Sequence, residues 1–292
     1  MNKIPVGQTI TYAYRFTFGQ IGTIIGLCWV PLVLMAVLQF LPYALGGNPM
    51  ATPENATALG RQELQSLATS LLVLLLYAIV CVPVTRQALG LRHGGAVVHF
   101  TIGMPEFRAF GALILFFIMI EAMSLGMRVL GLVLESVVRS SAGGALAGFL
   151  IAIAMVAAFA GFIYVIARLG FVLLPVTVAE NQVSLTRAWI LTRGNFWRIV
   201  GVAVSVLLPL YLVYVIGLSI IVAPDLAASG TAISPAQAFA ATLHAIGRHM
   251  PEYLGLTLIL APFNIGLSLG ASAFAYRALV PAPGLHTAAP AA

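Results

Sequence analysis

Six stretches of this chain stay apolar for the length of a bilayer crossing: Ile21 to Ala44, Leu64 to Val84, Ala109 to Leu134, Ala145 to Ala167, Ile199 to Val222 and Tyr253 to Tyr276. A hydrocarbon core about 30 Å thick takes ~20 helical residues to cross. Backbone groups in lipid must be satisfied within the segment, and the runs do not alternate as barrel strands do, so helices are the expected form. Composition argues against six buried helices of a soluble domain: 61% of residues are hydrophobic and 8% charged, whereas soluble domains carry roughly a quarter charged. The expected fold class is an all-α integral membrane protein with six transmembrane helices and interfacial amphipathic helices. A single transmembrane domain covers residues 1–280, and the Ala/Pro-rich tail 281–292 is expected to be disordered.

Six spans sort the basic residues onto two sides. Lys3, Arg15, Arg86, Arg92, Arg108, Arg168, Arg187, Arg193, Arg198 and Arg277 fall on one side, and Arg61, Arg128, Arg139 and Arg248 on or near the other. This imbalance puts both termini in the cytoplasm. Glu54, Glu63, Glu135, Asp225 and Glu252 lie on the sparse side, so the net charge of +6 belongs to the cytoplasmic face. Lys3 and Arg15 precede the first apolar run, but no Ala-x-Ala-like site ends a short apolar core, which reads as an uncleaved first span. Asn55-Ala56-Thr57 matches a glycosylation sequon in an outer loop. Cys28 and Cys81 lie inside spans, where a thiol acts as a small hydrophobe, and no thiolate metal site or disulfide framework is indicated.

Three Thr-x-Gly triplets, Thr17-Phe18-Gly19, Thr101-Ile102-Gly103 and Thr192-Arg193-Gly194, sit where an amphipathic stretch gives way to a span. Glycine supplies the left-handed residue that stops a helix, so each triplet reads as a C-cap and corner, with Asn195 or Pro105 starting the next helix. The preceding stretches, Ile10 to Phe18, Val97 to Phe110 and Ser184 to Thr192, carry aromatic and basic residues suited to an interface. In the third, Ser184 is a candidate N-cap, and Leu185, Ala188 and Trp189 share one face. The spacings predict three tandem units of interfacial helix plus transmembrane hairpin, related as parallel repeats. Pro235 to His249 forms a further amphipathic stretch on the outer side.

Polar residues within the runs are candidates for function. Glu121 sits near the middle of the third span with Arg128 seven residues on, nearly on the same helical face. It reads either as a proton or substrate group, or as a protonated or hydrogen-bonded carboxyl with Arg128 snorkelling outward. Gln39, Asn264 and Ser268 are further polar points that commonly bridge helices. Ala145 to Ala179 is a long apolar run broken only by Arg168. A straight helix of that length overshoots the bilayer, so a break or kink is expected between Gly170 and Pro175, bending the chain into the interface. His244 and His249 do not converge on one helical face, His93 and His99 flank a glycine-rich loop, and no metal-ligand spacing is present. No Gly-x-Ser-x-Gly, phosphate loop or dinucleotide fingerprint occurs, and no cofactor is implied.

From Arg168 to Gly201 the chain reads RLGFVLLPVTVAENQVSLTRAWILTRGNFWRIVG. This resembles uncharacterised bacterial multi-span inner-membrane proteins, including the membrane domain attached to some glycerophosphoryl diester phosphodiesterases. The likeness rests on Arg168, Pro175, Glu180, Ala188-Trp189, Leu191-Thr192, Gly194 and Trp197-Arg198. It is strong over about 34 residues and elsewhere lies only in layout. It implies a six-helix domain in the bacterial inner membrane with no catalytic residues to transfer, since the phosphodiesterase barrel is a separate domain.

Two functional readings follow. The first is a non-enzymatic inner-membrane protein that engages the phospholipid bilayer, through anionic lipid, or a membrane-protein partner or second copy of itself. Its belt is Arg108, Arg168, Glu180, Arg187, Trp189, Arg193, Trp197 and Arg198. Glu180 also reads simply as an acid favoured by a helix N-terminus. The second is a transporter or permease with a polar path near Glu121 and Arg168. An intramembrane enzyme ranks behind both, because one carboxylate without a base or metal is a poor catalytic set. Nothing points to nucleic acid.

Overall fold

The computed structural model describes residues 2–44, 56–92, 100, 102–140, 144–228 and 235–280. Every regular element among them is a helix: α1 (Val6–Gly19), α2 (Ile21–Ala44), α3 (Ala56–Ala88), α4 (Met104–Ser140), α5 (Gly144–Glu180), α6 (Leu185–Leu191), α7 (Phe196–Ala228), α8 (Pro235–Arg248) and α9 (Met250–Leu279). Six segments are long and apolar enough to cross a membrane: Ile21–Leu41, Leu64–Ala88, Met104–Ser136, Phe149–Glu180, Phe196–Asp225 and Met250–Leu279. The chain is a multi-pass membrane protein. Asn55 of the sequon, His93, His99, Thr101 and the tail lie outside the described residues.

The sixth span is the centre of the bundle. Its residues alternate between two buried clusters, with Ile265, Leu269 and Ala273 in one and Leu267, Ala271 and Ala275 in the other. A helix buried all round must let its neighbours come close, and small side chains do that. A Cβ added at Gly266 would stand 2.9 Å from the Thr17 methyl, and one at Gly270 would stand 2.9 Å from the Phe16 ring. Increasing number on α9 meets decreasing number on α1, so the two helices run antiparallel. On the same helix, the Tyr12 hydroxyl donates to the Ala88 carbonyl at 2.7 Å, tying α1 to the end of α3.

This packing corrects the interfacial reading of the first amphipathic stretch. Thr9, Ala13, Phe16 and Thr17 form the buried face of α1, so the helix belongs to the bundle. The two buried threonines donate to Pro5 and Ala13 carbonyls one turn back, which removes the polar penalty of burying them.

The three corners also differ from one another. Gly19 lies within α1, and the chain bends instead at Gln20, with φ −127° and ψ 21°. Gly103 begins a helix rather than ending one: its carbonyl accepts from the Phe107 N–H at 3.1 Å, and its own N–H donates to the Glu106 carboxylate at 3.0 Å. The first is the opening backbone bond of the helix and the second is the carboxylate half of a capping box, glycine having no side chain to return it; together they make Phe107, Arg108 and Phe110 the opening turns of the long α4. Only Gly194 takes the expected left-handed form, at φ +75°. The left-handed glycine that stops α3 is Gly90, at φ +72°, with Leu91 N–H bonded to Arg86 O and Gly90 N–H to Gln87 O.

The helix does not break at Gly170 to Pro175. The helix α5 runs 37 residues through Pro175, about 55 Å at 1.5 Å per residue. It ends at Asn181, whose φ of 53° supplies the left-handed stop. Val172, Leu173, Leu174, Val176 and Val178 are all buried against the bundle, and tertiary packing of this kind holds a helix through a missing donor.

Adding methyl groups at the α1–α9 contact should cost ~1–3 kcal/mol through overpacking. The Gly266→Ala/Gly270→Ala variant is therefore expected to melt several degrees below the parent in detergent. Gly255→Ala, where a Cβ meets nothing within 4 Å, should melt at or above it.

Candidate functional site

The basic end of the bundle is assembled from the end of α5, the short α6, the start of α7, the N-terminal residues and the end of α9. Ser184 begins α6 by accepting the Arg187 N–H at 3.1 Å, the expected N-cap. Ala188 is buried, and Leu185 and Trp189 pack beside it, so the face read from the sequence is the buried one. Because Trp189 lies on Arg168, 21 residues earlier, α6 folds back along α5.

Arg168 is only 4% exposed. Its guanidinium carbon lies 3.7 Å from the Trp189 ring centroid and 5.3 Å from that of Tyr164. One terminal nitrogen donates to the Tyr164 hydroxyl at 2.9 Å and the other to the Trp189 carbonyl. That carbonyl belongs to the last turn of α6, where helix carbonyls lack partners, so Arg168 caps the C-terminus of α6. Thr192 adds a second cap, its hydroxyl donating to the Ala188 carbonyl at 2.8 Å. No carboxylate pairs with Arg168 among the described residues, and its buried Nε has no hydrogen-bond partner there.

Glu180 lies in a separate group. One carboxylate oxygen accepts from Arg187 Nε at 3.1 Å and from the Tyr276 hydroxyl at 3.2 Å, and the other accepts from the Gln182 amide at 3.1 Å. This joins the end of α5 to α6 and α9. Beside it, Arg108 donates to the Asn181 side-chain oxygen at 3.4 Å.

At the start of α7, the Asn195 side-chain oxygen accepts from the Ile4 N–H at 3.1 Å, and its amide donates to the Asn2 carbonyl at 3.1 Å. Arg198 donates to the Ile4 carbonyl at 2.8 Å. Residues 2–4 are thus held by side chains much as a neighbouring strand would hold them. Asn195 is buried, and its amide both accepts from and donates to this backbone segment, with a further long donation to the Arg193 carbonyl at 3.4 Å.

Two members of the set turn outward. Trp197 is 80% exposed, its ring 5.0 Å edge-on from Phe196. Arg193 is exposed, with no side-chain partner among the described residues. Glu121 and Arg128 are also exposed, on the spanning part of α4, far along the helix from Arg108. The Ser124 hydroxyl lies 3.4 Å from the Glu121 carboxylate, and Glu121 lines neither of the two described grooves between helices. Neither described groove brings Arg168 and Glu121 together.

Five residues have roles here that the sequence reading did not assign. Tyr276 and Arg277 end the last span, where an aromatic and a cation are ordinary interface anchors; Arg277 stands 5.0 Å over the Tyr12 ring. Gly266 and Gly270 carry a readable signal, the Gly-x-x-x-Gly spacing of a close helix contact. The grip of Asn195 on Ile4 spans 191 residues of sequence, and no local pattern announces it.

Comparison with family models, with curated proteins and with solved structures returned no match.

Removing the Asn195 side chain leaves the Ile4 N–H without its acceptor, a loss of ~1–3 kcal/mol for a buried donor. Asn195→Ala should speed hydrogen exchange at the Ile4 amide by roughly tenfold or more, with amides in the middle of α9 unchanged. Equal exchange at Ile4 in both proteins would refute the grip.

Proposed function

We infer that this is a non-enzymatic inner-membrane protein whose basic end faces the cytoplasm and engages anionic lipid headgroups, or acidic groups of a membrane partner. The observation that carries this reading is the division of labour at the α6–α7 corner. Arg168, Arg187, Asn195 and Arg198 direct hydrogen bonds at protein groups. Arg193 and Trp197, on either side of the same corner, face outward, and the cation has no partner among the described residues. Exposed apolar side chains at the same end, Phe107 at the start of α4 and Ile190 on α6, give the cation an apolar rim. A cation beside an exposed indole is the pairing that favours an anionic interface, at about 1 kcal/mol per basic residue.

The likeness of residues 168–201 to the membrane domain of glycerophosphoryl diester phosphodiesterases belongs to this proposal. Of the residues that carry it, Arg168 and Trp189 meet in one contact, Glu180 joins Arg187 and Tyr276, and Gly194 takes the left-handed turn between α6 and α7. A permease reading would need Glu121 and Arg168 on a common path, and the enclosure of Arg168 by Tyr164 and Trp189 speaks against one.

The test is lipid retention by the purified full chain in nanodiscs of zwitterionic lipid doped with phosphatidylglycerol. The parent should enrich phosphatidylglycerol over the bulk composition. Arg193→Gln with Trp197→Ala should lower that enrichment by about fivefold, the equivalent of ~1 kcal/mol. No enrichment by the parent, or none lost by the variant, would reject the proposal.

A further inference from the structure

Toward the other end of the bundle, a groove of about 410 Å³ opens sideways between α7 and α9. Tyr211, Tyr214, Tyr253, Thr257 and Asn264 put polar atoms on an otherwise aliphatic lining, and no Lys, Arg, His, Asp or Glu contributes to it. Tyr211 and Asn264 fall near the middle of the spans Phe196–Asp225 and Met250–Leu279, whereas Tyr253 is close to the start of the latter. The groove thus runs from mid-membrane depth toward the end that carries Asp225 and Glu252.

Its hydrogen-bonding groups are unevenly spent. Thr257 donates its hydroxyl to the Tyr253 carbonyl at 2.9 Å. The Asn264 side-chain oxygen accepts from Ser268 at 3.3 Å. The Asn264 amide hydrogens and the hydroxyl of Tyr211, a residue 61% exposed, have no partner among the described residues. An unsatisfied amide at hydrocarbon depth is costly, because lipid tails offer no acceptor and no water competes. The site has donors to spare and no cation. Its complement is a carbonyl oxygen on an uncharged, chain-bearing molecule that arrives from the bilayer; a phosphate headgroup would find no counter-charge. The Tyr211 and Tyr214 rings, stacked with centroids 6.4 Å apart, supply flat apolar walls for the remainder.

We propose that the α7–α9 groove binds an uncharged lipid through its carbonyl oxygens, with Asn264 as the principal donor and the chain lying against Leu260. Diacylglycerol esters and prenylated quinones share that chemistry. The site is independent of the basic end, so Arg193→Gln with Trp197→Ala should leave it untouched.

A diazirine-tagged diacylglycerol, photolysed with the full chain in zwitterionic nanodiscs, tests this by mapping the labelled peptides. Labelling on α7 and α9 around the groove should exceed that on the exposed faces of α4 and α5 by roughly tenfold. It should fall to the level of those faces in Asn264→Leu, which removes the donor, and in Leu260→Trp, which fills the space. Both variants should match the parent in melting temperature and elution volume. Excess unlabelled diacylglycerol or a short-chain quinone should compete, and the stronger competitor identifies the source. Uniform labelling, indifference to both substitutions, failure of both competitors, or equal labelling by a diazirine-tagged phosphatidylglycerol would each overturn the proposal.

Discussion

A buried guanidinium, with no carboxylate beside it among the described residues, organises the basic end of this protein. A fully buried cation is expensive unless dipoles and aromatic faces replace its water. Arg168 meets that demand with the Trp189 indole, the Tyr164 hydroxyl and a carbonyl from the last turn of α6. Arginine suits the task better than lysine, because its plane stacks on a ring while its edge donates. The arrangement works in both directions: the cation is satisfied only if α6 folds back along α5, and α6, seven residues long, gains a capped C-terminus that it could not hold alone. The direction of the chain at Gly194, and hence where α7 begins, follows from that clamp.

A second constraint supports the first from the far side. The small-residue face of α9 lets α1 lie close, and α1 carries the N-terminal segment to the start of α7, where Asn195 and Arg198 hold it. The end of α9 then supplies Tyr276 to Glu180. Long-range side-chain hydrogen bonds, to backbone at Ile4 and Trp189 and to another side chain at Glu180, together with the α1–α9 packing, therefore close a ring from the N-terminus through α7, α6, α5 and α9. Most of the polar groups that looked available in the sequence are spent inside that ring, and what stays outward is correspondingly specific.

The six spans, the α8 stretch and the Ser184 cap were legible because each depends on local composition or on spacing within one turn. The three similar corners were not, because a Thr-x-Gly triplet does not say on which side of glycine the helix lies. Glu106 reaching back to Gly103 turned one corner into a helix start, and continuous packing carried α1 through Gly19. The break expected near Pro175 failed for a related reason, since local helix-breaking tendency lost to burial of the surrounding residues. The residues expected to form one belt divide into several groups. Arg168, Glu180, Arg187, Trp189 and Arg198 do gather at one end, but as two separate clusters and an N-terminal clasp, and only Arg193 and Trp197 remain as an outward pair. Asn264 was read as a bridge between helices, yet its side chain bonds within its own helix and faces a groove.

The central claim is that the α6–α7 corner presents Trp197 to an anionic lipid surface while Trp189 stays packed on Arg168. Tryptophan quenching by spin-labelled lipids measures this most directly, with the label near the headgroup on either phosphatidylglycerol or phosphatidylcholine. The account predicts a quenched component that is larger with the anionic carrier and disappears in Trp197→Phe. Quenching that is the same with both carriers, or that survives Trp197→Phe in full, would contradict it.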